Sequence, residues 1–243
     1  MRQRPCGFSL IELAVAMFVI VLLLGSVLAP LATQVEQRHV SDTQKYLDEM
    51  KEALIGFAVS NDRLPCPASA TSAGVESPAG GGACTNNYNG FVPAATLGLS
   101  VVDNQGFAVD PWGNRIRYAV TNANGNAFTT AGGMAAATMP TLAPNLLICS
   151  TATGISASSC AAGTALTTGV PALIYSTGRN GGYGGTGLDE AANPNPNSAN
   201  NDRVFVSHAP APSSAANGEF DDVMTWLSPN VLYNRMISAG RLP

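Results

Sequence analysis

The chain has 243 residues, with 12 Lys and Arg against 16 Asp and Glu, and charged residues make up only 12% of it. That length holds a membrane segment plus one domain of about 150–200 residues and excludes two full-size domains. The mildly acidic balance and the lack of any basic run exclude nucleic acid as the primary ligand.

The first signal is at the N-terminus. Arg2 and Arg4 precede Gly7-Phe8-Ser9-Leu10-Ile11-Glu12, and from Leu13 to Ala32 there are 20 residues without a formal charge. At 1.5 Å per residue this run spans roughly 30 Å, the hydrocarbon thickness of a bilayer. It is too long for the apolar core of a cleaved secretory signal. The basic leader keeps the N-terminus cytoplasmic, so the chain after about residue 35 is expected on the far side of the membrane. Glu12 stands alone at the lip of the run. A carboxylate near hydrocarbon costs about 2–3 kcal/mol if unpaired, so its default reading is functional; the alternative is an edge residue snorkelling to the headgroups. Gly25 and Pro30 predict a kink or local loosening near residues 26–30, although a Pro simply tolerated in a membrane helix reads the same.

The basic leader, Gly7, Phe8 and the glutamate four residues further on, followed by an apolar helix, resemble the class III leader of type IV pilins and type II secretion pseudopilins. The resemblance implies that a prepilin peptidase cuts between Gly7 and Phe8 and methylates the new amine. It also implies single-pass insertion in the inner membrane with a periplasmic C-terminal domain, and extraction into a filament by an assembly platform. Glu12 would then face the amino terminus of Phe8 on a neighbouring pilin or pseudopilin subunit, where low dielectric strengthens the attraction.

Beyond the run the helical pattern turns amphipathic. Val40, Leu47 and Leu54 recur at seven-residue spacing with Met50 and Phe57 between them, while charges fill other positions. Asn61-Asp62 and Leu64-Pro65-Cys66-Pro67 predict the helix end near residues 60–63.

Five cysteines are present. Cys6 precedes the apolar run; Cys66, Cys84, Cys149 and Cys160 follow it and allow three connectivities, of which Cys66–Cys84 with Cys149–Cys160 closes the shortest loops and is favoured. Disulfides agree with an oxidising compartment. With no CxxC pair and only His39 and His208, a zinc site is not expected.

Residues 68–90 read as a loop pinned by Cys84. Asp110-Pro111-Trp112-Gly113 predicts a type I turn, with Ile116, Tyr118 and Val120 as one face of the next strand and Trp112 as a core plug. This corner also resembles that of the major pseudopilin. "LLIC", "ALIYST" and "RVFVSH" bring the expected strands to three or four, and the tail after Glu219 reads as two short helices broken at Pro229.

"GYGGTG", residues 182–187, fits a dinucleotide-binding pattern but no helix of useful length follows it. The loop that continues to Asp202 is dense in Asp, Glu and Asn. Turn chemistry accounts for that composition, while the resemblance implies a calcium ion, with Asp189 and Asp202 as the best ligands; no other cofactor is expected. No GxSxG, HExxH, EF-hand or P-loop pattern occurs, so the chain is not expected to be an enzyme.

The expected fold is α+β and pilin-like. A long N-terminal helix, membrane half plus amphipathic half, packs on a small antiparallel sheet domain with long loops. The expected divisions are a leader at 1–7, a membrane and filament-core helix at 8–32, an amphipathic half at 33–62 and a globular domain at 63–243. The expected function is a structural subunit, a minor pilin or pseudopilin. The alternative is a non-assembling, membrane-anchored periplasmic binding module.

Overall fold

The computed structural model describes residues 9–181, 187–193 and 202–243, without the side chains of 24 and 26–32. The leader, Phe8 and the side chain of Pro30 therefore lie outside the described residues. The chain divides into two compact units, residues 1–41 and 42–243.

Helix α1 (Leu10–Asn61) runs through both. In the first unit its large apolar residues from Leu10 to Leu23 are 45–89% exposed. Among the described residues no helix is long and apolar enough to cross a membrane. The expected span of residues 8–32 includes Phe8 and side chains that are not described.

In the second unit α1 buries Thr43, Leu47, Met50, Leu54 and Ala58, a stripe at three- and four-residue spacing, and exposes Asp42, Lys45, Glu49 and Glu52. Each buried Leu or Met contributes about 1.5–3 kcal/mol. Lys51 Nζ donates to Asp48 Oδ1 at 2.7 Å and to Thr225 Oγ1 at 3.2 Å, tying the helix to the sheet. The helix stops at Asn61, and Asp62 follows at φ +58°, a left-handed stop ahead of the two prolines.

In chain order there follow β1 (Gly90–Phe91), α2 (Ala94–Leu97), β2 (Arg117–Val120), the single turns α3 (Ala123–Asn126) and α4 (Gly133–Ala136), β3 (Leu146–Cys149) and β4 (Ala165–Val170). After these come β5 (Ala172–Ser176), α5 (Leu188–Ala192), β6 (Val204–Val206), β7 (Val223–Leu227) and α6 (Pro229–Ser238). An antiparallel sheet has the order β1-β2-β5-β7. A second sheet, β4-β3-β6, is mixed: β3 pairs antiparallel with β4 and parallel with β6. Tyr88, Leu146, Ile148, Leu173, Tyr175 and Phe205 pack between the sheets.

The expected strands are all present, but β1, β4 and β7 exceed the expectation, and β3 and β6 lie in a second, mixed sheet rather than in the one antiparallel sheet expected. Val223–Leu227, read as helical from apolar residues at 223, 226 and 227, is the strand β7, paired with β5 from Ala172↔Leu227 to Ser176↔Val223. Tertiary pairing overrides a three- and four-residue spacing in so short a segment. Pro229 does not break a helix; it opens α6 at a position where its missing N–H costs nothing.

The corner at Asp110 forms as expected, with the Gly113 N–H donating to the Asp110 carbonyl at 3.0 Å and Gly113 at φ +87°. Trp112 is only partly buried. The corner is pinned by the buried Asp110 carboxylate, which accepts from the N–H of Trp112 at 3.0 Å, the N–H of Asn114 at 2.8 Å and the Ser176 hydroxyl at 2.6 Å.

Disulfides join Cys66 to Cys84 and Cys149 to Cys160. Beside the first, Arg63 and Glu76 form a buried two-pronged ion pair at 2.7 and 2.6 Å. Gly81, at φ +78°, lets the backbone close over it; a Cβ there would lie 2.6 Å from Arg63 Nη1.

Candidate functional site

The first candidate site is the start of α1. The Ser9 N–H donates to Glu12 Oε2 at 3.0 Å, and the Ile11 N–H donates to the Ser9 hydroxyl at 3.3 Å. The Glu arm is that of a capping box, while the Ser hydroxyl caps the N–H one residue earlier; together they give acceptors to N–H groups that a helix start leaves without any. The acid also lies in the first turn, where the helix dipole favours negative charge. Glu12 is followed at once by the exposed apolar surface of residues 13–23, and a helix apolar all round is stable only against lipid or protein. Gly7 and Phe8, the expected cleavage pair, lie outside the described residues.

The second candidate site surrounds α5, in the second unit. Asp189 and Glu190 are adjacent and both buried, yet they join different networks. Asp189 accepts from the Ala152 N–H, from Thr151 Oγ1 at 3.2 Å and from Asn217 Nδ2 at 3.1 and 3.0 Å, and lies 3.2 Å from His208 Nε2. Burial raises its pKa, but these donors outweigh burial and hold the carboxyl below its ordinary value. Asp202 accepts from the Val204 N–H at 3.2 Å, and burial pushes its carboxyl up. Asp189 and Asp202, the expected calcium ligands, thus accept from different donors.

The carboxylates that do converge are Glu190, Asp221 and Asp222, each offering an oxygen within 4.8 Å of the others. Among the described residues this is the group able to hold a cation. Glu190 accepts from Asn180 Nδ2 at 3.0 and 3.1 Å and from the Asp221 N–H at 2.9 Å. Gly178 makes room for Asp221: at φ +63°, a Cβ there would lie 2.2 Å from Asp221 Oδ1. Asn193 donates from Nδ2 to Asp222 Oδ2 at 2.6 Å and to the Val206 carbonyl at 2.9 Å, and accepts the Val206 N–H at 2.8 Å, so its amide caps the open edge of β6. Burial pushes the Asp222 carboxyl up to about 8, with the charges of Glu190 and Asp221 adding to the effect. Burial and the Glu190 charge bring Asp221 to about 6.

Sequence reasoning placed Glu190 in the acidic loop but missed its partners. The available signal was the Asp221-Asp222 pair directly ahead of the apolar run of β7, in a chain with so few charges.

Residues 2–28 match the prokaryotic N-terminal methylation motif, the signature of prepilin-type cleavage in type IV pilins and pseudopilins. No curated protein and no solved structure matches the chain.

Proposed function

We propose that this chain is a structural subunit, a minor pilin or pseudopilin, of a type IV pilus or a type II secretion filament. Prepilin peptidase cleaves it between Gly7 and Phe8 and methylates Phe8. The apolar run holds it in the inner membrane with the C-terminal unit in the periplasm, and the assembly platform extracts it into a filament through α1. Glu12 sets the register against a neighbour's new amine, and the role is mechanical rather than catalytic.

The observation that carries this reading is the continuity between the motif at residues 2–28 and a 52-residue helix whose first part is clothed in exposed apolar side chains. Lipid covers such a surface before assembly and neighbouring subunits cover it afterwards. Intact-mass measurement of the membrane-extracted chain tests the reading. Loss of residues 1–7 with gain of one methyl group is expected; a chain that retains its leader overturns it. The cavity beside Arg117 and Asp222 favours a second reading, an anchored binding module that never polymerises, and that reading predicts the retained leader.

A further inference from the structure

A cavity of about 330 Å3 opens beside the carboxylate cluster, and Phe91, Arg115, Arg117, Asn180, Glu190 and Asp222 are among its lining residues. The register of the first sheet explains why guanidinium and carboxylate meet there. Arg117 stands opposite Tyr175 and Tyr175 opposite Met224, so these three share a face. Asp222, two residues before Met224, continues that face. Burial dominates the upward displacement of the Tyr175 phenol, with Arg117 opposing and Asp222 reinforcing it, so both groups lie near enough to act on one hydroxyl.

Among the described residues neither Arg117 nor Asp222 has a partner of opposite charge. The Arg117 guanidinium lies 4.5 Å from the Phe91 ring centroid and donates to Asn89 Oδ1 at 3.1 Å, but among the described residues it forms no ion pair. Its neighbour Arg115 is neutralised by Asp103 at 2.7 Å. The polar partner of Asp222 is a neutral amide, and the charges acting on it, those of Glu190 and Asp221, are both negative. Asn180 Oδ1 is buried and accepts no hydrogen bond.

A divalent metal fits this cavity poorly. The Asn180 amide and the N–H groups of Asp221 and Gly187 already occupy Glu190, whereas a hard cation wants six to eight oxygens, and two guanidiniums line the same space. An ammonium group needs only three acceptors. The volume is at the small end of ligand sites, about 300–1,000 Å3.

We propose that this cavity binds a small zwitterion, an amino acid in the simplest case, with its carboxylate on Arg117 and its ammonium against Asp222 and Glu190. The ligand completes two half-made ion pairs at once, and neither acetate nor a simple amine does so. Binding is independent of filament assembly.

Isothermal titration of the full-length chain in detergent at about pH 8.5, above the value of about 8 to which burial pushes Asp222, tests this, using each of the common amino acids, the N-acetyl and amide derivatives of any that bind, and calcium chloride alone. At least one amino acid is expected to bind saturably, and both blocked derivatives at least about tenfold more weakly. Arg117→Gln should abolish the discrimination against the amide, and Asp222→Asn that against the N-acetyl form, with unchanged far-UV circular dichroism. The proposal is overturned if no amino acid binds, if the blocked derivatives bind equally well, or if calcium alone binds in an Asp222-dependent way.

Discussion

Ser9 and Glu12 hold each other at the start of α1: the backbone N–H of one reaches the carboxylate of the other at 3.0 Å. The lone acid at the lip of the apolar run therefore has a local partner one residue beyond the expected cleavage point. Capping and inter-subunit pairing make different demands on the side chain. A cap needs an acceptor oxygen, which Gln supplies as well as Glu, whereas pairing with an amine across a subunit boundary needs the charge.

Glu12→Gln separates the two roles. If Glu12 sets assembly register, Glu12→Gln and Glu12→Ala both insert into membranes normally, and both co-assemble with wild-type subunits several-fold less well. Quantifying tagged variant against wild type in sheared filaments measures this. Normal incorporation of Glu12→Gln assigns the acid to the cap alone.

The Arg63–Glu76 pair is the buried electrostatic joint of the second unit. Glu76 also accepts from the Cys66 N–H at 3.1 Å and the Gly80 N–H at 3.2 Å, so it holds both sides of the Cys66–Cys84 loop. Burial raises its carboxyl, but Arg63 and the two N–H groups more than compensate and leave it below its ordinary value. Glu76→Ala strands a buried guanidinium and should cost about 3–5 kcal/mol. Arg63→Met with Glu76→Leu should cost markedly less than Glu76→Ala alone. Urea denaturation midpoints of the single and double variants decide this.

Asp221 and Asp222 give the second unit a pH dependence of unusual sign for carboxylates. Their folded values, about 6 and about 8, exceed the unfolded value near 3.9, so between these limits the folded chain binds more protons. Stability is then fully present below about pH 4 as far as these groups are concerned, and it falls as pH rises towards 8. The loss from buried Asp222 is on the order of several kcal/mol; half-exposed Asp221 is screened by solvent and adds less. Asp222→Asn should flatten the decline and unfold later than wild type at pH 8. Denaturant midpoints at pH 5, 6.5 and 8 provide the check.

What was legible in the sequence follows from how local each signal is. Leu47, Met50 and Leu54 announce their buried face through helical spacing alone, and Asp110-Pro111-Trp112-Gly113 encodes its own turn. The short cysteine loops likewise carry their pairing in their spacing. By contrast, β6 has three residues and pairs parallel to β3 only after a connection of more than fifty residues, which no period reveals. The carboxylate cluster needed Glu190 on α5 and Asp222 ahead of β7 to meet, a juxtaposition set by the sheet order β2-β5-β7 rather than by any neighbouring residues.

Asp189 separates a structural acid from a metal ligand. Its oxygens receive a backbone N–H, a threonine hydroxyl and the Asn217 amide, and these contacts join the turn at Thr151-Ala152 to α5 and to the segment before β7. Asp189→Ala leaves those partly buried donors without their acceptor and should destabilise by about 1–3 kcal/mol. In a domain of this size that lowers the melting temperature by roughly 2–12 °C. Because the folded carboxyl is held low, the wild-type contribution is present above about pH 4 and is lost only as pH falls through the folded value. If the acid is purely structural, the Asp189→Ala loss is the same in excess calcium as in chelator. A wild-type melting temperature that rises with calcium, and a rise that disappears in Asp189→Ala but persists in Asp222→Asn, would return Asp189 to the ligand role that the pseudopilin resemblance implies.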